Sequence, residues 1–92
     1  MIKRVHVHIT GVVQGVFYRV STKQKADELG IRGWVKNTHD GAVEAVFEGE
    51  EAVVQEMIDW CFQGPPRSKV IDVKVRPLSL DGGLKGFSVH YR

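Results

Sequence analysis

The sequence predicts an α+β domain on the split β-α-β pattern, βαββαβ followed by one short C-terminal strand. Three observations carry that prediction. Apolar residues alternate with polar ones, the period of a half-buried strand, near residues 4–10, 42–48, 71–76 and 87–91. Helical character, in composition and in apolar spacing, marks two intervening segments near 19–29 and 50–62. Gly and Pro clusters separate these segments, and 92 residues suffice for a single domain, 1–92, burying roughly 60–65% of its unfolded surface.

The first strand places Val5, Val7 and Ile9 on one face and Arg4, His6, His8 and Thr10 on the other. A glycine-bearing stretch, Gly11 to Arg19, follows and is expected to turn the chain. From about Arg19 to Leu29 good helix formers dominate, and Gly30 stops the helix. Ile31–Asn37 reads as the second strand. Thr38-His39-Asp40-Gly41 is a hairpin signal leading to a third strand, Ala42–Glu48. Val54, Ile58 and Cys61 then fall at i, i+4 and i+7 of a second helix, with Glu50 and Glu51 at its positive end and Gly64-Pro65-Pro66 closing it. Ile71, Val73 and Val75 alternate in a fourth strand expected to stop at Pro77. Phe87, Val89 and Tyr91 alternate in a last short one, with Phe87 and Tyr91 expected to face the core.

This order is the ferredoxin-like arrangement. Right-handed crossovers put both helices on one face of an antiparallel sheet and make the first and second strands parallel to each other. The Gly11–Arg19 turn and Asn37 are therefore expected at the same end of the sheet.

Composition narrows the function. Apolar residues at 42%, charged residues at 26% and a net charge of +2 fit a soluble globular protein and give no footing for a nucleic-acid or membrane partner. A single cysteine, Cys61, excludes an intrachain disulfide and suggests a reducing, cytoplasmic setting; no signal core and no membrane-length apolar run is evident.

The chemistry-bearing stretch is Gly11-Val12-Val13-Gln14-Gly15-Val16-Phe17-Tyr18-Arg19. A tight glycine turn at a helix start exposes unpaired backbone N–H groups at the positive dipole end, which suits a phosphate or carboxylate. Arg19 offers a planar fork of donors for phosphoryl oxygens. On spacing alone a plain bend with a solvated arginine is the commoner outcome, and neither the dinucleotide nor the nucleoside-triphosphate fingerprint is matched.

The residues resemble a known family. The Gly11–Arg19 stretch is similar to the first signature of the acylphosphatases. Gly33-Trp34-Val35-Lys36-Asn37-Thr38-His39-Asp40-Gly41-Ala42-Val43 with Gly49 resembles the second, and Gly64-Pro65-Pro66-Arg67 the loop after the second helix. Tyr18 departs mildly, standing where the family more often has Phe. The resemblance implies metal-free, cofactor-free hydrolysis of acyl phosphates to carboxylate and phosphate, with no phosphoenzyme. It implies that Arg19 and the loop formed by Gln14, Gly15, Val16, Phe17, Tyr18 and Arg19 bind the phosphoryl group, and that Asn37 holds the attacking water. Inorganic phosphate or sulfate is then expected to occupy the same seat, and a monomer is expected.

Other residues favour structural readings. His6 and His8 share a strand face without an evident third metal ligand; Cys61 sits on an apolar helical stripe; Thr38 is as well suited to capping its turn as to holding water; His39 reads as a solvated turn residue and Trp34 as packing. Two further functions stay in view. Lys85-Gly86-Phe87 echoes part of an RNA-binding signature, but on the last strand. Similar domains also begin larger carbamoyl-transferring proteins, against which the end of the chain at Arg92 suggests a free-standing enzyme.

Overall fold

The computed structural model describes residues 1–91. Its elements follow the expected order: β1 (Ile2–Val12), α1 (Tyr18–Leu29), β2 (Arg32–Asn37), β3 (Val43–Glu50), α2 (Glu51–Gln63), β4 (Lys69–Leu78) and β5 (Phe87–His90). The sheet order is β4-β1-β3-β2-β5. α1 packs over β2 and β5, and α2 over β1, β3 and β4. The alternation in β1 works as expected: Val5, Val7 and Ile9 are buried with Val43, Ala45 and Phe47 of β3 and with Val54, Met57, Ile58 and Cys61 of α2.

β1 and β2 each run antiparallel to β3, so they point the same way and end together. Thus the glycine loop after β1 and Asn37 at the end of β2 meet at one end of the sheet. The sheet is mixed rather than antiparallel throughout, because β5 pairs with β2 in parallel, Gly33 opposite Phe87 and Lys36 opposite His90. β4 and β5 lie at opposite edges, so the chain must pass from one edge to the other between them. Asp81 in that connection is held by Arg4 of β1 at 2.6 Å. Arg4 in turn shares Glu48 with Arg32, at 2.8 and 2.9 Å. Burial pushes the Glu48 carboxyl up, but the hydrogen bonds from Arg32 and Arg4 outweigh it and hold it below its usual range. β5 then runs back toward the loop end, and the parallel register delivers Tyr91 next to Asn37.

Beyond shifts of one or two residues at other element ends, three features differ from expectation, each for a local reason. β1 continues through Gly11 to Val12, with a register shift between Thr10 and Gly11 against β4. Gly11 therefore belongs to the strand and not to the turn. Its φ of 129° and the 2.0 Å that a Cβ would leave to the Lys69 carbonyl oxygen explain the glycine by close backbone approach. β4 runs past Pro77 to Leu78, which an edge strand tolerates because the missing N–H costs no second ladder. Tyr91 does not face the core: it is 72% exposed, whereas Phe87 is buried and stacks on Phe47 at 5.9 Å.

Tyr18 joins the two helices. Its ring is buried, 5.7 Å from that of Trp60, and its hydroxyl donates to the Cys61 carbonyl oxygen at 2.6 Å. The helical donor to that carbonyl would be the N–H of residue 65, which is proline and has none. The hydroxyl therefore satisfies a buried orphan at the end of α2. Tyr18→Phe is expected to lose about 1–2 kcal/mol of unfolding free energy by urea denaturation.

Candidate functional site

The loop between β1 and α1 is bent by two left-handed residues. Gly15 has φ 73° and carries no steric penalty there. Phe17 has φ 64° and ψ 24° at the N-cap of α1, a conformation costing a residue with a Cβ roughly 1–2 kcal/mol. Between Val13 and α1 the chain forms no sheet ladder. Among the described residues, the backbone N–H groups of Gly15, Val16, Phe17, Tyr18 and Arg19 donate to no protein acceptor. They stand at the positive end of α1, which has no acidic residue in its first turn to compete for them.

Arg19 lies in that first turn, half-buried. No carboxylate among the described residues pairs with it. Its guanidinium instead lies over the ring of Tyr91, Cζ 4.6 Å from the centroid, a contact that holds the cation by its face and engages none of its edge donors. Asn37 closes β2 opposite Val43, and its carboxamide oxygen is buried with no hydrogen-bond partner among the described residues. Gly15, Phe17, Arg19, Val20, Asn37 and Tyr91 line one cavity of about 230 Å³.

Gln14 fixes the distance between the two halves. Its side-chain nitrogen donates to the carbonyl oxygens of Thr38 and Ala42, both at 2.8 Å, and so ties the loop to the hairpin that begins after Asn37. Both amide hydrogens are thereby used. The Thr38 hydroxyl accepts from the Ala42 N–H at 3.0 Å and donates to the Asp40 carboxylate, a turn-capping arrangement.

The expected residues thus come together at one end of the sheet, with qualifications at Gln14 and Tyr18. The side chain of Gln14 is a tether, and the ring and hydroxyl of Tyr18 belong to the core; what these positions offer an anion is backbone. Tyr91 is a member of the site that sequence reading missed. Its only signal was a parallel pairing of β5 with β2, and a four-residue strand does not declare its partner in sequence.

The remaining candidates fall on structural positions. His6 bonds Glu44 at 3.0 Å on the open sheet face, and no group of three metal-ligating side chains occurs among the described residues. Cys61 is fully buried, and burial pushes its thiol up to about 12, which makes it a poor nucleophile. Trp34 stacks on His90 at 5.5 Å on the open face.

The family model described as Acylphosphatase matches residues 5–89. A protein named acylphosphatase from Rubrobacter xylanophilus is 52% identical over 95% of this chain and 79% of its own length. One of the same name from Haloquadratum walsbyi is 54% identical over 86% of this chain and 88% of its own. Among solved structures, the crystal structure of an acylphosphatase from Bacillus subtilis superposes with a TM-score of 0.92 at 36% identity, covering 99% of this chain and 100% of that one.

Proposed function

The chain belongs to the acylphosphatase family and hydrolyses acyl phosphates, and we propose that Arg19, the amides of the Gln14–Arg19 loop and Asn37 carry out that reaction without a metal or cofactor. One observation supports the assignment above others: among the described residues, unpaired loop amides, a guanidinium without a carboxylate partner and an unpaired carboxamide oxygen line the same cavity.

The inventory matches the chemistry. The dianionic phosphoryl group sits on the loop amides, and Arg19 takes two of its oxygens. Asn37 accepts a hydrogen bond from the attacking water, orienting the water's lone pair toward phosphorus. The new P–O bond forms as the bond from phosphorus to the acyl oxygen breaks. The electron pair leaves on the carboxylate, already a stable anion at neutral pH, so no general acid is required. The water's proton passes to a phosphoryl oxygen, and the products are carboxylate and dihydrogen phosphate. A loose transition state asks for positioning and charge neutralisation more than for a strong base. An aspartate at position 37 would repel the substrate that a neutral carboxamide admits.

The reading extends to a monomer in the cytoplasm; the lone, buried, unpaired cysteine supports the reducing setting. No described helix is long and apolar enough to cross a membrane. The RNA-binding alternative loses its main support, since Phe87 is buried on the helix side of the sheet. The protein incubated with a chelator is expected to hydrolyse acetyl phosphate at its untreated rate, with inorganic phosphate competing for the site. A chelator-sensitive rate that returns with added divalent cation would contradict the metal-free assignment.

A further inference from the structure

Phe17 poses a physical question that phosphate binding leaves open. Its conformation is one that Gly or Asn adopts at lower cost. Its ring is 71% exposed, so core packing does not retain it. Backbone amides alone would hold an anion equally well with a smaller side chain at this position. Val20 lies three residues on, hence on the same side of the α1 start, and is 46% exposed. Tyr91, 72% exposed, stands across the cavity over Arg19. All three line the cavity that holds Arg19 and Asn37.

We propose that Phe17, Val20 and Tyr91 form an acyl-group subsite, an apolar wall at the mouth of the phosphate seat that selects acyl phosphates with aromatic or bulky apolar acyl groups over acetyl phosphate. This rests on the site assignment above and adds the substrate class. With the phosphoryl group on the loop amides and Arg19, the acyl carbons must leave the seat toward the mouth. There they meet one aromatic ring from the loop, a branched side chain from α1 and a second ring from the segment after β5. Such a wall removes apolar substrate surface from water in proportion to its size and gives an acetyl group little to touch. The other exit, past Asn37, is a polar groove where Lys36 and Glu44 are paired at 3.1 Å, which suits a charged or hydroxylated acyl group instead. Strain retained at Phe17 fits a side chain kept for ligand contact, since strained backbone concentrates where it serves binding.

The test compares kcat/KM for benzoyl phosphate with that for acetyl phosphate in the parent, in a Phe17→Asn and Val20→Ser double variant, and in Lys36→Ala. Asn tolerates the left-handed backbone, and neither replaced side chain is buried, so the melting temperature of the double variant is expected to match or exceed the parent's. The benzoyl-to-acetyl ratio is expected to fall about tenfold in the double variant, the scale of discrimination that a few apolar groups supply, and to stay put in Lys36→Ala. A ratio unchanged in the double variant, or one that moves only in Lys36→Ala, would overturn the subsite. Arg19→Ala run alongside separates the two levels: an inactive Arg19→Ala with a flat ratio sinks the subsite alone, whereas parental activity in Arg19→Ala sinks the site assignment and the subsite with it.

Discussion

Arg19→Ala is expected to lower kcat/KM for acetyl phosphate roughly 10³–10⁴-fold, the scale on which a transition-state arginine acts in phosphoryl transfer. The expectation follows from position. The guanidinium stands in the first turn of α1, beside amides at the same helix end, without a carboxylate partner among the described residues. It is the only side-chain cation lining the cavity among the described residues, so its loss leaves the phosphoryl charge to backbone dipoles. Arg19→Lys is expected to recover only part of the loss, because a point charge cannot hold two oxygens in one plane or lie flat on the ring of Tyr91. Steady-state kinetics under chelating conditions reads both variants.

Asn37→Ala is expected to lower kcat about 10²–10³-fold while KM for acetyl phosphate moves little. The carboxamide touches neither the loop amides nor Arg19 in the hydrogen-bond network; its oxygen is buried at the end of β2 and unpaired among the described residues. Removing it takes away the group that orients water and leaves the anion seat standing, so the deficit falls on turnover. Asn37→Asp is expected to be worse in KM than Asn37→Ala, since a carboxylate would be placed against a dianion. The split between the two parameters distinguishes a role in the chemical step from a role in substrate binding.

Much of the fold was legible because strand and helix periods differ and β1, β3 and α2 are cleanly patterned. The pairing of loop and Asn37 was legible too, because a split β-α-β order makes β1 and β2 parallel and ends them together. What escaped detection depended on non-local pairing. Gly11 looked like part of the turn because a glycine needed for close approach of β4 cannot be told in sequence from one needed for a bend. Pro77 looked like a terminator because its edge position was unknown. Tyr91 alternates with Phe87 as a core residue would, and only its place one residue beyond the end of β5 turns it into the site. The hydroxyl of Tyr18 was legible as a small addition, but its work on the proline-orphaned carbonyl of Cys61 required the packing of α1 on α2.

The central claim is a division of labour at one end of the sheet: anion binding by Arg19 and the loop, water orientation by Asn37. Calorimetric titration of inorganic phosphate into the parent, Arg19→Ala and Asn37→Ala measures it directly. Phosphate affinity is expected to fall by well over tenfold in Arg19→Ala and to remain within about threefold of the parent in Asn37→Ala, although both have lost turnover. Undiminished phosphate binding by Arg19→Ala, or equal loss of binding in both variants, would contradict it.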